Sequence, residues 1–289
     1  VQETTIIRQA DRKGLEFILD LATAEGWNPG KYDGESFFAS DENGFLILYH
    51  GNEPIGSIAV VQLSKDYAAI GLFIVAKKHR SQGFGTLLWN EAIKRLAHCR
   101  TIGLNAVPSQ VKRYQAAEFK DSFANQRWSK AVDSKAEDTK HLISTAENPY
   151  LMFKKLCEYD ELVFKHPREK FLTAMLLAPQ TFAFVSFDKD RAVNGYGVVR
   201  PCIKGYRIGP LYAADFESAQ TLCRLLLAKI PGEIVVLDTP IINKFGIAFA
   251  EYFGLEHIPA ADTLAMFKGE QPESKNTSDC YAVASLEIG

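Results

Sequence analysis

The sequence has no apolar run approaching the about 20 residues that a membrane-spanning helix needs. Its opening, Val1-Gln2-Glu3-Thr4-Thr5, has neither the basic start nor the apolar core of a leader, so a cytoplasmic protein is expected. Basic residues are not in excess. The 33 Lys and Arg stand against 35 Asp and Glu, a net charge of −2, and no global field exists to hold a nucleic acid. No CxxC occurs, and the five cysteines (Cys99, Cys157, Cys202, Cys223 and Cys280) are odd in number and widely spaced. That pattern argues against a disulfide framework or a zinc ribbon and fits reduced thiols packed as small hydrophobes. The six histidines are scattered without HExxH, so no metal is expected.

What remains is an ordinary globular composition. Hydrophobic residues make up 47% and charged residues 24% of 289 residues, a length suited to two domains of about 100–200 residues each or to one large one. Asp11 caps a first helix whose buried face carries Leu15, Ile18, Leu19 and Ala22, and Gly26 ends it. A Gly/Pro loop and a polar, aromatic stretch to Phe38 follow. Strands are expected at Phe45–His50 and Ile55–Gln62, joined as a hairpin through Gly51-Asn52-Glu53, and again at Ala68–Val75. Then come a helix (Thr86–Ala97), a strand (Ile102–Val107) and a helix (Ser109–Ala117). From Ser129 to Glu147 the chain is polar without clear periodicity, and part of this stretch reads as a linker.

The second half repeats the order. Helices are expected at Pro149–Glu158 and Pro167–Leu177, and strands at Thr181–Phe187, Tyr196–Arg200 and Arg207–Tyr212. A helix (Phe216–Lys229), a strand (Glu233–Asp238) and a helix (Lys244–Phe253) complete it. Phe182, Phe184 and Phe187 read as the core-facing side of their strand. The pattern predicts two related α+β domains, residues 1–135 and 136–289, from a duplication at domain scale.

The most informative segment runs from Leu72 to Thr86: a strand enters a loop with two glycines, and a helix begins at once. Unpaired N–H groups at such a helix start, with the positive end of the dipole, hold phosphate. Lys77, Lys78, His79 and Arg80 add local positive charge. The GxxxxGK[ST] of a P-loop is absent. A dinucleotide fold needs a third glycine and an acid at the next strand end. Here Gly83-Phe84-Gly85 runs into Thr86-Leu87-Leu88, and the strand end holds Leu104 and Asn105. The pyrophosphate of coenzyme A is the third candidate, and a tight turn without ligand is the plain alternative. Charge, glycines and context together favour an anion site.

The pattern Arg80-x-x-Gly83-x-Gly85 resembles the acyl-CoA-binding signature (Q/R)xxGxG/A of the GNAT superfamily of N-acyltransferases. Tyr114-Gln115-Ala116-Ala117-Glu118-Phe119 is similar to the superfamily's LYxxxGF, with Glu118 in place of Gly, and Val107 stands where the family often has Asn. Gly26-Trp27-Asn28-Pro29-Gly30, Gly195-Tyr196-Gly197-Val198-Val199-Arg200-Pro201 and Ile208-Gly209-Pro210-Leu211 resemble a bacterial subfamily with two tandem GNAT-like domains, over nearly the whole chain. The resemblance implies a mixed, mostly antiparallel sheet flanked by helices in each half.

It further implies acetyl-CoA as acyl donor and direct attack by a small-molecule amine, in a protein that is a monomer or homodimer. Phe73, Ile74 and Val75 would line the pantetheine arm. Arg80, Ser81, Gln82, Gly83, Phe84, Gly85 and Thr86 would hold the pyrophosphate. Tyr114 would be the general acid, since a phenol with a reference pKa near ~10 is protonated at neutral pH. Trp27, Asn28, Asp33 and Arg127 are expected at the acceptor, with Trp128 beside Arg127; for Trp27 core packing is an equal alternative. The strand Ala68–Val75 carries no carboxylate, so the base stays open: Asp33, Glu25 or His50 acting through water, or none if the amine arrives already neutral. The second half lacks both motifs, with Asp215 and Glu217 at the corresponding helix start. It reads as a domain that packs and shields, or else one that closes over the acceptor or binds a regulatory small molecule. The departures keep a non-catalytic acyl-CoA or metabolite-binding sensor as the alternative function.

Overall fold

A computed structural model describes residues 4–135, 149–271 and 277–288. The first half opens with β1 (Thr5–Gln9) and α1 (Arg12–Ala24). The Asp11 carboxylate caps α1 by accepting from Gly14 N at 2.8 Å, and Leu15, Ile18 and Ala22 are its buried face. The polar, aromatic stretch after Gly30 folds as a short helix, α2 (Asp33–Ser40), which buries Asp33, Ser36 and Phe37. Then follow β2 (Phe45–His50), β3 (Glu53–Gln62), β4 (Tyr67–Val75), α3 (Phe84–Arg95), β5 (Thr101–Ala106), α4 (Val111–Ala116) and β6 (Lys120–Ala131).

β6 was not expected, and it corrects the start of the linker, because Ser129 lies inside it. Its polar residues hid it. Asn125 and Arg127 are buried on hydrogen-bonded partners, so the strand lacks an apolar alternation. Residues 136–147 of the expected linker lie outside the described residues.

The second half comprises α5 (Pro149–Phe164), α6 (Glu169–Leu177), β7 (Phe182–Phe187), β8 (Val193–Pro201), β9 (Tyr206–Ala213), α7 (Phe216–Leu227) and β10 (Ile234–Pro240). It ends with α8 (Gly246–Tyr252), β11 (Glu256–His257), β12 (Thr263–Gly269) and β13 (Cys280–Ala282). β4–α3–β5 and β9–α7–β10 are matching crossovers between parallel strands; the other pairings are antiparallel.

One continuous sheet runs through both halves, in the order β1-β2-β3-β4-β5-β12-β6-β10-β9-β8-β7. The halves exchange strands at its centre. β12, from the second half, pairs with β5 from Leu264–Ala106 to Gly269–Thr101, and on its other edge with the start of β6. The rest of β6 pairs with β10, from Asn125–Pro240 to Ala131–Ile234. Alternate residues face opposite layers. Phe45 and Ile47 pack into a core shared with α1, α2, α5 and α6, while Leu46 and Leu48 face the core under α3 and α4. A third core lies under α7 and α8. The Phe182, Phe184 and Phe187 rings are only half-buried, because β7 is the sheet's edge strand.

Candidate active site

β4 and β5 part company in mid-sheet. They pair in parallel from Tyr67–Thr101 to Ile70–Leu104, and the edge from Gly71 to Val75 then has no β5 partner. A bulge opposite Ile58 of β3, with Leu72 at φ +47°, bends the strand there. The Ser57 hydroxyl pins the bulge by donating to Leu72 O at 2.7 Å. The parting strands open a cleft of about 830 Å³.

The glycine loop forms one wall. Ser81 (φ +62°) and Gly83 (φ +85°) take left-handed backbone, and Gly83 caps α3. The N–H groups of residues 81–85 meet no acceptor among the described residues, so a row of free donors stands at the positive end of a helix. A Cβ on Gly83 would meet nothing, and one on Gly85 would reach the Arg113 guanidinium at 3.4 Å, so the loop faces open space. This cradle fits a pyrophosphate. Arg80 braces it rather than facing the anion alone: Nε donates to Val75 O at 2.9 Å and Nη2 to Glu25 Oε1 at 2.5 Å.

Of the residues expected at the donor, all but Gln82 and Phe84 line the cleft. Gln82 turns its amide to Lys78 O, and Phe84 is buried as the anchor of α3 against His50, with ring centroids 5.3 Å apart.

Tyr114 lines the same cleft at 8% exposure, its ring wedged between Trp89 and Phe119. Its hydroxyl has no partner among the described residues and is available to a ligand. Burial pushes its pKa up to about 12, against a smaller opposing pull from Arg113. Arg113 itself went unpredicted. Its guanidinium lies 4.9 Å over the Phe73 ring and lines the cleft beside Gly85; its place next to Tyr114 on α4 was the available signal.

The acceptor residues are only partly where the sequence placed them. Trp27 lines the cleft, its carbonyl accepting from Arg127 Nη1 at 3.3 Å. Arg127 lines it too, but its guanidinium is spent on Asp238. Asn28 does not line it: its amide exchanges hydrogen bonds with the Lys204 backbone and ties the two halves together. Asp33 does not either. It is 3% exposed and paired with Arg200 at 2.7 and 3.1 Å. Trp128 faces the third core, against His257. Among the base candidates only Glu25 reaches the cleft, and Arg80 holds it; His50 lies beside Phe84 and Thr5.

Residues of the second half also line the cleft, among them Asp262, Thr263, Leu286 and Glu287. No local motif announces them, because they arrive with the exchanged strand and the segment after β13. Each carboxylate is engaged: Asp262 with His257 and Arg127 N, Glu287 with the Ser285 hydroxyl and Leu286 N.

Two models of the GNAT acetyltransferase family match the chain, one over residues 11–118 and one over 156–282. The Holothin acyltransferase of Pseudoalteromonas sp. (strain SANK 73390) is 30% identical over 99% of this chain and 95% of its own length. The chain belongs to the GNAT family of acyltransferases. Solved structures agree on the fold. A Pyrococcus horikoshii protein superposes with a TM-score of 0.77 at 20% identity, covering 99% of this chain and 96% of its own. A tandem GNAT protein from the clavulanic acid biosynthesis pathway does so with 0.60 at 13% identity, covering 93% and 100%.

In this tandem GNAT acyltransferase the two halves have different slots. β9 and β10 pair only at Tyr206–Val235 and Arg207–Val236 before they too diverge. There the chain fills the gap with its own β13, which pairs Cys280 with Tyr212 and Ala282 with Leu211, while Val283 N donates to Asp238 O at 3.0 Å. The α7 start is closed as well, because Asp215 caps it by accepting from Ser218 N at 2.7 Å. Among the described residues, only the first GNAT half keeps both an open strand edge and a row of free donors.

Proposed function

We propose that the protein transfers the acetyl group of acetyl-CoA to the nitrogen of a small-molecule amine, by direct attack in a ternary complex. What supports the reading is one coincidence: the free N–H row at residues 81–85, the unpaired edge of β4 and the Tyr114 hydroxyl all meet in a single cleft. Acetyl-CoA supplies the acyl group as a thioester. The loop amides bind its pyrophosphate, and the open edge of β4 offers backbone groups to the pantetheine arm and to the thioester oxygen. The amine nitrogen bonds to the carbonyl carbon as the carbon–sulfur bond breaks. Tyr114 donates its proton to the departing sulfur, the amine loses one N–H proton to water, and that proton returns through solvent to restore the phenol. Holothin, named in the Pseudoalteromonas relative, is the first compound to try as acceptor.

The second reading is a non-catalytic acyl-CoA or metabolite sensor. It draws on the cleft carboxylates, all of which are already engaged. Calorimetric titration of acetyl-CoA into the wild type and a Gly83→Asp/Gly85→Asp variant tests both. Binding that the variant loses, with CoA thiol released when amine is added, supports transfer. Binding without release supports the sensor, and no binding to folded wild type removes both.

A further inference from the structure

A second cavity, of about 640 Å³, lies where β5, β6 and β12 meet the turn between α5 and α6. It touches the donor cleft at Leu104 and Asn105, which line both. The segment after β13 also divides the two, with Ser285 on the cavity side and Leu286 on the cleft side.

Its walls are rings. Tyr67 and His166 stack face to face, with centroids 4.3 Å apart and planes 13° from parallel, and Phe123, Phe164 and Phe267 line the cavity with them. No Asp or Glu lines it among the described residues, whereas Lys165 does. Burial lowers the His166 pKa, so the imidazole stays neutral at pH 7.

At the boundary stands a directed amide chain. Asn105 Nδ2 donates to Leu286 O at 3.2 Å, and Asn125 Nδ2 donates to Asn105 Oδ1 at 2.9 Å. The chain's last acceptor, Asn125 Oδ1, is enclosed by protein and has no partner among the described residues, on a residue 2% exposed. A buried acceptor without a donor is costly.

We propose that this cavity is the acceptor site and takes a flat, uncharged aryl amine, stacked among its rings. The proposal rests on the acyl-transfer reading and narrows its substrate. An alkyl amine arrives as an ammonium at neutral pH, and burying that charge without a carboxylate is expensive. Neither β4 nor this cavity holds a carboxylate to strip its proton. An aryl amine delocalises its lone pair into the ring, stays neutral without a base, and stacks on the walls.

Fluorescence titration of 6-aminoquinoline into the full chain, with no donor present, tests the site apart from the reaction. The cationic counterpart is 2-(aminomethyl)naphthalene. Two variants fill the cavity: Ala265→Phe from the floor, and Ser122→Trp from an exposed position that leaves the core intact. The expected result is saturable binding to wild type, at least tenfold weaker in Ser122→Trp and at least tenfold weaker for the cation. Retention in the Gly83→Asp/Gly85→Asp variant separates this site from the donor cleft. Equal binding of the cation, undiminished binding in both filled variants, or no binding to wild type overturns the proposal, whatever acetyl-CoA does.

Discussion

Arg127 grips Asp238 with two parallel hydrogen bonds, Nε to Oδ1 at 2.7 Å and Nη2 to Oδ2 at 3.0 Å. Asp238 is 1% exposed and also accepts from Arg207. The pair joins β6 to β10 at the strand exchange, and Arg127 reaches on to the Trp27 carbonyl. Removing one partner of a buried pair costs about 3–5 kcal/mol, because the other charge is left behind. Arg207 remains beside Asp238, so Arg127→Met is expected to cost about 3 kcal/mol, the low end of that range. Urea unfolding measures it. An unchanged midpoint with a raised acceptor KM would instead return Arg127 to substrate binding.

Gly71 sits at the first unpaired residue of β4, and a Cβ there would lie 1.5 Å from the Glu287 carbonyl oxygen. Backbone cannot yield as a side-chain tip does. Gly71→Ala therefore pushes the 285–288 segment off the sheet, at a cost of about 1–3 kcal/mol for overpacking. Limited proteolysis should then cut near the C-terminus in the variant before it does in wild type. Equal cleavage rates would mean that the segment does not rest on β4 in solution.

The crossover and its glycine loop were legible because their signals are local: apolar strand, paired glycines, helix, and the Tyr114 spacing one unit later. The strand exchange was not. β6 and β12 are defined by partners far along the chain, and a polar strand such as Lys120–Ala131 has no period to detect when its polar groups are satisfied by those partners. Two of the four acceptor residues lie outside the cleft for a related reason. Asp33 and Asn28 look exposed in a polar loop, but Arg200 and Lys204, from the other half, consume them. Sequence shows which groups are polar; only the fold shows which are already paired.

Tyr114 has a ring held by Trp89 and Phe119 and a hydroxyl with no partner among the described residues. Tyr114→Phe therefore leaves folding nearly unchanged and removes only the proton. If the phenol is the acid, kcat falls by about 10²–10⁴-fold with acetyl-CoA affinity retained. Because burial raises its pKa to about 12, the group is protonated throughout the working range, and wild-type kcat should show no basic fall between pH 7 and about 10. Equal kcat in the two proteins takes Tyr114 out of the chemistry.

Asp33 and Asp238 set the acid limit of stability. Burial disfavours both carboxylates, but Arg200 beside Asp33 and Arg207 with Arg127 beside Asp238 outweigh it and hold both below the usual carboxylate range. A lowered folded pKa means that the unfolded chain takes up protons first as pH drops. The stability from these pairs is complete above the unfolded carboxylate pKa of about 4 and drains away below it. The urea midpoint should thus hold level from pH 7 to about 5 and fall below about 4. Asp33→Asn should lower the midpoint at pH 7, because Arg200 keeps only the carbonyls of Gly209 and Ala284, and should make the acid fall shallower. A wild-type fall centred near pH 6 would place the limiting group among the histidines rather than in the ion pairs that join the two halves.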